Sequence, residues 1–316
     1  MEEHGLVSGK RHGHGSMDTT PGVRYVLVIT LILNESVALA KIIYGYHTGS
    51  IGMTSDGFHS LFDGVSNVIG LVGIWIASRP PDKTHPYGHK KYETFFTIII
   101  AFMIFTTCFQ ILHRAYESLF KGSETTVTAA SFLIMIATMA VNIFVMSYES
   151  RKGKKLGSDF LVADAMHTKS DILTSSAVLI GLFLTKLGYH YADAIAGVVI
   201  TFFIARIGYE IIKQASDTLV DTVCLDTDAI ERVVMEVKGV IGCHDIRTRG
   251  LKNHIYMDMH ILVNPALPTG ESHEIAESVE RKIMEEFPAV SDIVVHVEPG
   301  GRPEAASKDC PSRECK

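Results

Sequence analysis

Paired cysteines are missing from this sequence. Its five cysteines, Cys108, Cys224, Cys243, Cys310 and Cys315, are scattered and odd in number, which points to reduced thiols rather than a disulfide framework. Cys310 and Cys315 stand in a polar stretch that reads as a disordered tail. An excess of basic charge is missing too. The formal net charge is −6, which argues against a general nucleic-acid binder. The first 22 residues hold no apolar core, so no cleavable signal peptide is expected. His12-Gly13-His14 reads as part of an untethered N-terminus. No Gly-rich phosphate loop is visible, so there is no sign of an ATP motor. His273-Glu274 begins like a zinc-protease helix motif, but Ile275-Ala276-Glu277 follows and the second histidine is absent. An enzyme is therefore not expected.

What is present is unevenly spread. Hydrophobic residues make up 47% of the chain, and they crowd the stretch from Val23 to Ile212. A bilayer core needs roughly 20 mostly apolar residues per helix. Six such runs stand at 25–46, 51–77, 94–119, 127–148, 160–187 and 191–212. Basic residues cluster after the second run (Arg79, Lys83, Lys90, Lys91) and after the fourth (Arg151, Lys152, Lys154, Lys155). The alternate links are nearly bare of them. The positive-inside rule places the basic links, and with them both termini, in the cytoplasm.

Ionisable side chains inside spans are expensive, and the default reading is functional. The second run contains His59-Ser60-Leu61-Phe62-Asp63, and the fifth His167-Thr168-Lys169-Ser170-Asp171. Each is His-x-x-x-Asp, and residues four apart share one helix face. Two such helices side by side offer two imidazoles and two carboxylates, a set that suits tetrahedral Zn2+ and is too nitrogen-rich for Mg2+ or Ca2+. The competing reading is a buried polar network that only holds the helices together. Asp56 and Asp164, each three residues before its histidine, read as supporting partners or vestibule charges.

These motifs, with Asp82-Lys83-Thr84-His85-Pro86-Tyr87-Gly88-His89 after the second run and Cys243-His244-Asp245-Ile246-Arg247-Thr248-Arg249 further on, resemble the cation diffusion facilitator family. The resemblance spans roughly 24–299. It implies a homodimer that moves metal by alternating access, usually against protons. It implies a transport site at His59, Asp63, His167 and Asp171, with histidine in the second span favouring Zn2+ and leaving Fe2+, Co2+, Cd2+ or Mn2+ open. It implies a cytoplasmic-loop site at Asp82, His85 and His89. In the cytoplasmic domain it implies ligands among His244, His260, His273, His296 and Glu298, with Glu298 where aspartate is common. His254 has no such counterpart.

From Asp226 onward the pattern turns to soluble α/β. Helices are expected at 229–238 and 272–287, and strands at 243–249, 254–263 and 292–297. The second strand alternates Ile255, Met257, Met259 and Ile261 on one face. The order α-β-β-α-β resembles the family's ferredoxin-like module. The expected organisation is a disordered N-terminus (1–22), a six-helix transmembrane domain (23–213), a junction (214–225), an α+β ferredoxin-like cytoplasmic metal-binding and dimerisation domain (226–299) and a disordered tail (300–316). The expected function is a secondary transporter that exports a divalent transition metal in exchange for protons, in a prokaryotic inner membrane. A metal-binding sensor or scaffold subunit of the same fold, which does not transport, is the alternative.

Overall fold

The structure is a computed structural model. It describes residues 20–48, 51–121, 129–186 and 192–301. Within the helices a few side chains, those of His59 and Asp63 among them, fall outside the description, as do His12, His14, Cys310 and Cys315.

Six long helices come first: α1 Thr20–Thr48, α2 Ile51–Ala77, α3 Lys91–Lys121, α4 Ala129–Leu156, α5 Asp159–Lys186 and α6 Ala192–Leu219. At 1.5 Å per residue each is about 40–46 Å long, more than the roughly 30 Å of a hydrocarbon core. Among the described residues four of them, α1, α3, α4 and α6, are apolar enough over their length to cross a membrane. Among the described residues α2 shows a shorter apolar stretch, Gly64–Ala77, and Asp164, His167, Lys169 and Asp171 interrupt α5. Large apolar side chains on the outer faces are open, among them Phe102, Phe109, Leu133 and Phe202, as expected for a lipid-facing surface. The inner faces meet around Leu27, Ile100, Ile104, Phe160, Leu161 and Ile204, all fully buried.

The basic residues expected in the link after the fourth span lie instead on the last turns of α4, which runs to Leu156. Lysine and arginine are good helix formers, and positive charge suits a helix C-terminus. The helix stops at Gly157, whose φ of +66° is open to glycine. Ser158 then caps α5, its Oγ accepting from Leu161 N at 3.3 Å. The Ser158 hydroxyl also donates to buried Glu93 of α3, which ties the starts of α3 and α5 together. Helices come closest where side chains vanish. A Cβ at Gly70 would strike the Phe160 ring of α5, and one at Gly73 would lie 2.6 Å from the Phe96 ring of α3.

The chain divides into two compact units between Val220 and Asp221. Residues 214–219, expected as a junction, are the last turns of α6. The second unit holds α7 Thr227–Met235, β1 Gly242–Leu251, β2 His254–Val263, α8 Thr269–Glu286 and β3 Val290–Pro299, the expected α-β-β-α-β order. Asp226 caps α7 by accepting from Asp228 N. The sheet order is β1-β2-β3, antiparallel then parallel. The parallel pair needs a crossover, which α8 supplies. Ile255, Met257, Met259, Ile261 and Val263 of β2 pack with Ile230 and Val234 of α7 and Val279 and Ile283 of α8. The alternate β2 residues, His260 among them, fall on the other face of the sheet and are half-exposed.

Candidate metal sites

In the membrane unit, His167 and Asp171 of α5 line one cavity. Asn34, Val37 and Lys41 of α1, Ser60 and Ser66 of α2, and Asn142 of α4 line it with them. His167 is buried, and neither ring nitrogen has a hydrogen-bond partner among the described residues. Such a group is costly unless something occupies it. Lys41 is also buried, and its Nζ donates to Ser60 Oγ at 2.8 Å. His59 and Asp63 sit on α2 on either side of Ser60 in sequence, but the positions of their side chains lie outside the described residues.

The loop between α2 and α3 draws Asp82, His85 and His89 together, with their ligand atoms all within 4.8 Å of one another. Asp82 Oδ1 accepts from Thr84 N at 2.8 Å, Thr84 Oγ1 at 2.7 Å and His85 N at 2.6 Å. The Thr84 hydroxyl, then the His85 amide, hold the Asp82 carboxyl well below the usual carboxylate range. His89 Nε2 lies 3.5 Å from Asp82 Oδ2, and its buried Nδ1 has no partner. Gly88, at φ +81°, makes the turn that brings His89 back.

In the second unit the strand register sets three histidines side by side. His244 of β1 pairs with His260 of β2, which pairs with His296 of β3. Their ring centroids are 5.1 and 4.8 Å apart along the row. Glu298 reaches across: its Oε1 is 2.9 Å from His260 Nδ1 and its Oε2 is 3.2 Å from His244 Nε2. The hydrogen bond with His260, then that with His244, lowers the Glu298 pKa. Asp245, beside His244 at a strand irregularity, has φ +52° and joins the cluster with His244 and His260. His273 is not brought in; it stands exposed on α8 with Nε2 3.4 Å from Glu277. His254 is held between Tyr256 OH at 2.9 Å and Ser291 Oγ at 2.6 Å. Burial pushes the Cys243 thiol up to about 11, so it is not a ready thiolate.

Two family matches cover nearly all of this. The cation efflux transmembrane domain matches residues 27–220, and the cytoplasmic domain of cation efflux proteins matches 225–300. The chain belongs to the cation diffusion facilitator family. It is an integral membrane transporter for metal efflux and not an enzyme. An uncharacterized transporter of Methanocaldococcus jannaschii is 36% identical over 86% of this chain and 96% of its own length. The manganese efflux system protein MneS of Bacillus subtilis is 31% identical over 82% of this chain and 89% of its own. The cation-efflux pump FieF of Cronobacter sakazakii is 27% identical over 91% and 95%.

For a cation diffusion facilitator, the sequence motifs leave out several polar residues of the helix bundle. Lys41 and Asn67 are single polar positions in apolar runs, and Glu149 reads as the foot of a span. Asp245 belongs to the sheet cluster only because the strand bulges beside it. A polar residue well inside a span was the available signal for the first two; nothing local marks the bulge.

Proposed function

We propose that this chain exports a divalent transition metal, Zn2+ foremost, from the cytoplasm in exchange for protons by alternating access. The transport ligands are His59, Asp63, His167 and Asp171. The observation that carries the reading is His167, buried in a polar cavity beside Asp171 with both ring nitrogens unpartnered. Neutral imidazole and ionised carboxylate bind metal while their protonated forms do not, so a His/Asp site exchanges one cation for another. Asp82, His85 and His89 form a loop site. His244, His260, His296 and Glu298 form a cytoplasmic site that responds to metal, with His273 free to join it from a partner copy in a homodimer. The membrane is a prokaryotic inner membrane with both termini in the cytoplasm.

Manganese is the second reading. It is favoured by the relative named as a manganese efflux protein and by the two carboxylates in the ligand set, which suit harder ions. Counterflow in liposomes holding only this protein tests both. Zinc-loaded vesicles should accumulate labelled zinc, and empty vesicles under an inward zinc gradient should alkalinise inside as protons leave. Preference for manganese over zinc would replace the first reading with the second. No counterflow of any divalent metal would favour a sensor or scaffold subunit.

A further inference from the structure

Glu149 of α4 is fully buried, and among the described residues neither of its carboxyl oxygens has a hydrogen-bond partner of good geometry. Facing it are Thr30 of α1, Asn67 of α2 and the carboxyl of Asp164 of α5. Asp164 is buried as well, and it in turn feels His167. The donors around this pocket are already engaged. The Asn67 amide donates to Asp164 Oδ2 at 2.9 Å and to Thr30 Oγ1 at 3.3 Å. The Thr30 hydroxyl is turned to its own helix, toward Val26 O at 3.1 Å and Leu27 O at 3.3 Å. Asn34 Nδ2 donates to Asn67 Oδ1 at 3.1 Å, which fixes that amide's orientation. Asp164 thus receives the Asn67 amide at good geometry, which suits a charged carboxylate, whereas Thr30 and Asn67 stand close to Glu149 with their hydrogens directed elsewhere. Two carboxylates sharing a dry pocket do not both keep a bare charge.

The place of the pair in the bundle matters. Glu149 lies seven residues before the end of α4 at Leu156, and Asp164 five after the start of α5 at Asp159. Each is therefore about 10 Å from the α4–α5 link. His167 and Asp171 follow one and two turns further along α5. The pair sits between that end of the bundle and the cavity.

We propose that Glu149 is a proton-carrying group of the exchange, distinct from the metal ligands. This rests on the proton-exchange reading above. With the cavity empty of metal, the proton stays on a Glu149 oxygen beside ionised Asp164. When a divalent cation enters at His167 and Asp171, its field favours the carboxylate form of Glu149. The O–H bond breaks, and the proton passes to water at the α4–α5 end. After the metal leaves on the opposite side of the membrane, a proton from water on that side enters through the cavity and restores the acid. The coupling is reciprocal: a protonated Glu149 weakens metal binding by the factor by which metal promotes proton release.

The full-length protein in liposomes, with one dye for metal and one for pH, tests this. Glu149→Gln keeps the shape and cannot ionise. It should bind the same amount of zinc per chain and move about one proton fewer per metal than wild type. Stimulation of metal flux by an imposed pH gradient should fall at least several-fold. A wild type that moves metal without protons sinks the exchange reading itself. A wild type that exchanges protons alongside a Glu149→Gln protein of equal ratio sinks only the role of Glu149. One metal ion fewer bound per Glu149→Gln chain would make the pair a metal site and overturn the proton assignment. Should the variant not fold, wild type still decides. Dicyclohexylcarbodiimide adds to protonated carboxyls in apolar surroundings and should modify Glu149, with saturating zinc protecting it. Mass spectrometry that finds Glu149 unmodified without metal overturns the proposal.

Discussion

The membrane cavity and the open face of the sheet both gather histidines and carboxylates, yet they treat them in opposite ways. His167 is buried with two unpartnered nitrogens. His244 and His260 are half-exposed, and both lie within hydrogen-bonding reach of Glu298. Leaving a polar group unsatisfied in a dry interior costs about 1–3 kcal/mol. A satisfied one at a wet surface costs little. A site that must take up and let go of an ion each cycle gains from the first arrangement, because the empty state is not a deep resting point. A site that only reports metal can afford the second, holding its ligands in register until an ion displaces their mutual hydrogen bonds.

The contrast breaks most sharply at Asp171. Asp171→Ala removes a carboxylate proposed as a metal ligand from the cavity and should lower zinc flux in liposomes about 100-fold or more, with folding intact by size-exclusion chromatography. Flux near wild type would remove the cavity from the transport path. His59→Asp should change preference rather than rate. Replacing nitrogen by oxygen moves selectivity toward manganese about tenfold relative to zinc in competition flux, and an unchanged ratio would show that position 59 does not choose the metal.

On the sheet the effects are smaller. Glu298→Gln should weaken zinc binding to the isolated 221–301 unit about tenfold by calorimetry. It should also alter the pH dependence of unfolding. The histidine hydrogen bonds lower the Glu298 pKa, so the folded state prefers the carboxylate. That stabilisation is complete above the ordinary glutamate range and fades as pH falls through the lowered value. The gap between wild type and Glu298→Gln should therefore be full near pH 6 and close below about pH 4. A gap that widens on acidification would reverse the assignment. His254→Ala, which loses two hydrogen bonds but no proposed ligand, should cost about 1 kcal/mol of stability and leave zinc affinity unchanged. A loss of affinity would bring His254 into the site.

How much of this was legible in sequence follows from the range of each interaction. The His-x-x-x-Asp pair on α5 is readable because helix geometry is local: four residues return to the same face. Asp82, His85 and His89 fall within one turn-rich loop, and their proximity is nearly as local. The row His244, His260, His296 is not. It depends on two strand registers that no short segment encodes, and both of them carry an irregularity. His273 illustrates the limit, for a motif match grouped it with residues that the single chain does not bring near it. Glu149 was passed over for a related reason. Its run was expected to end at 148, so the residue read as the foot of a span and not as part of a buried network.

Two of the glycines of α2 carry a consequence for any survey of variants. Gly70 and Gly73 leave no room for a methyl group against Phe160 and Phe96. A library scored only by metal resistance of living cells would rank alanine at these positions beside alanine at Asp171. The first two would be losses of assembled protein, and the last a loss of chemistry in protein that is present. Antibody signal per cell, divided into the resistance score, separates the two kinds of failure.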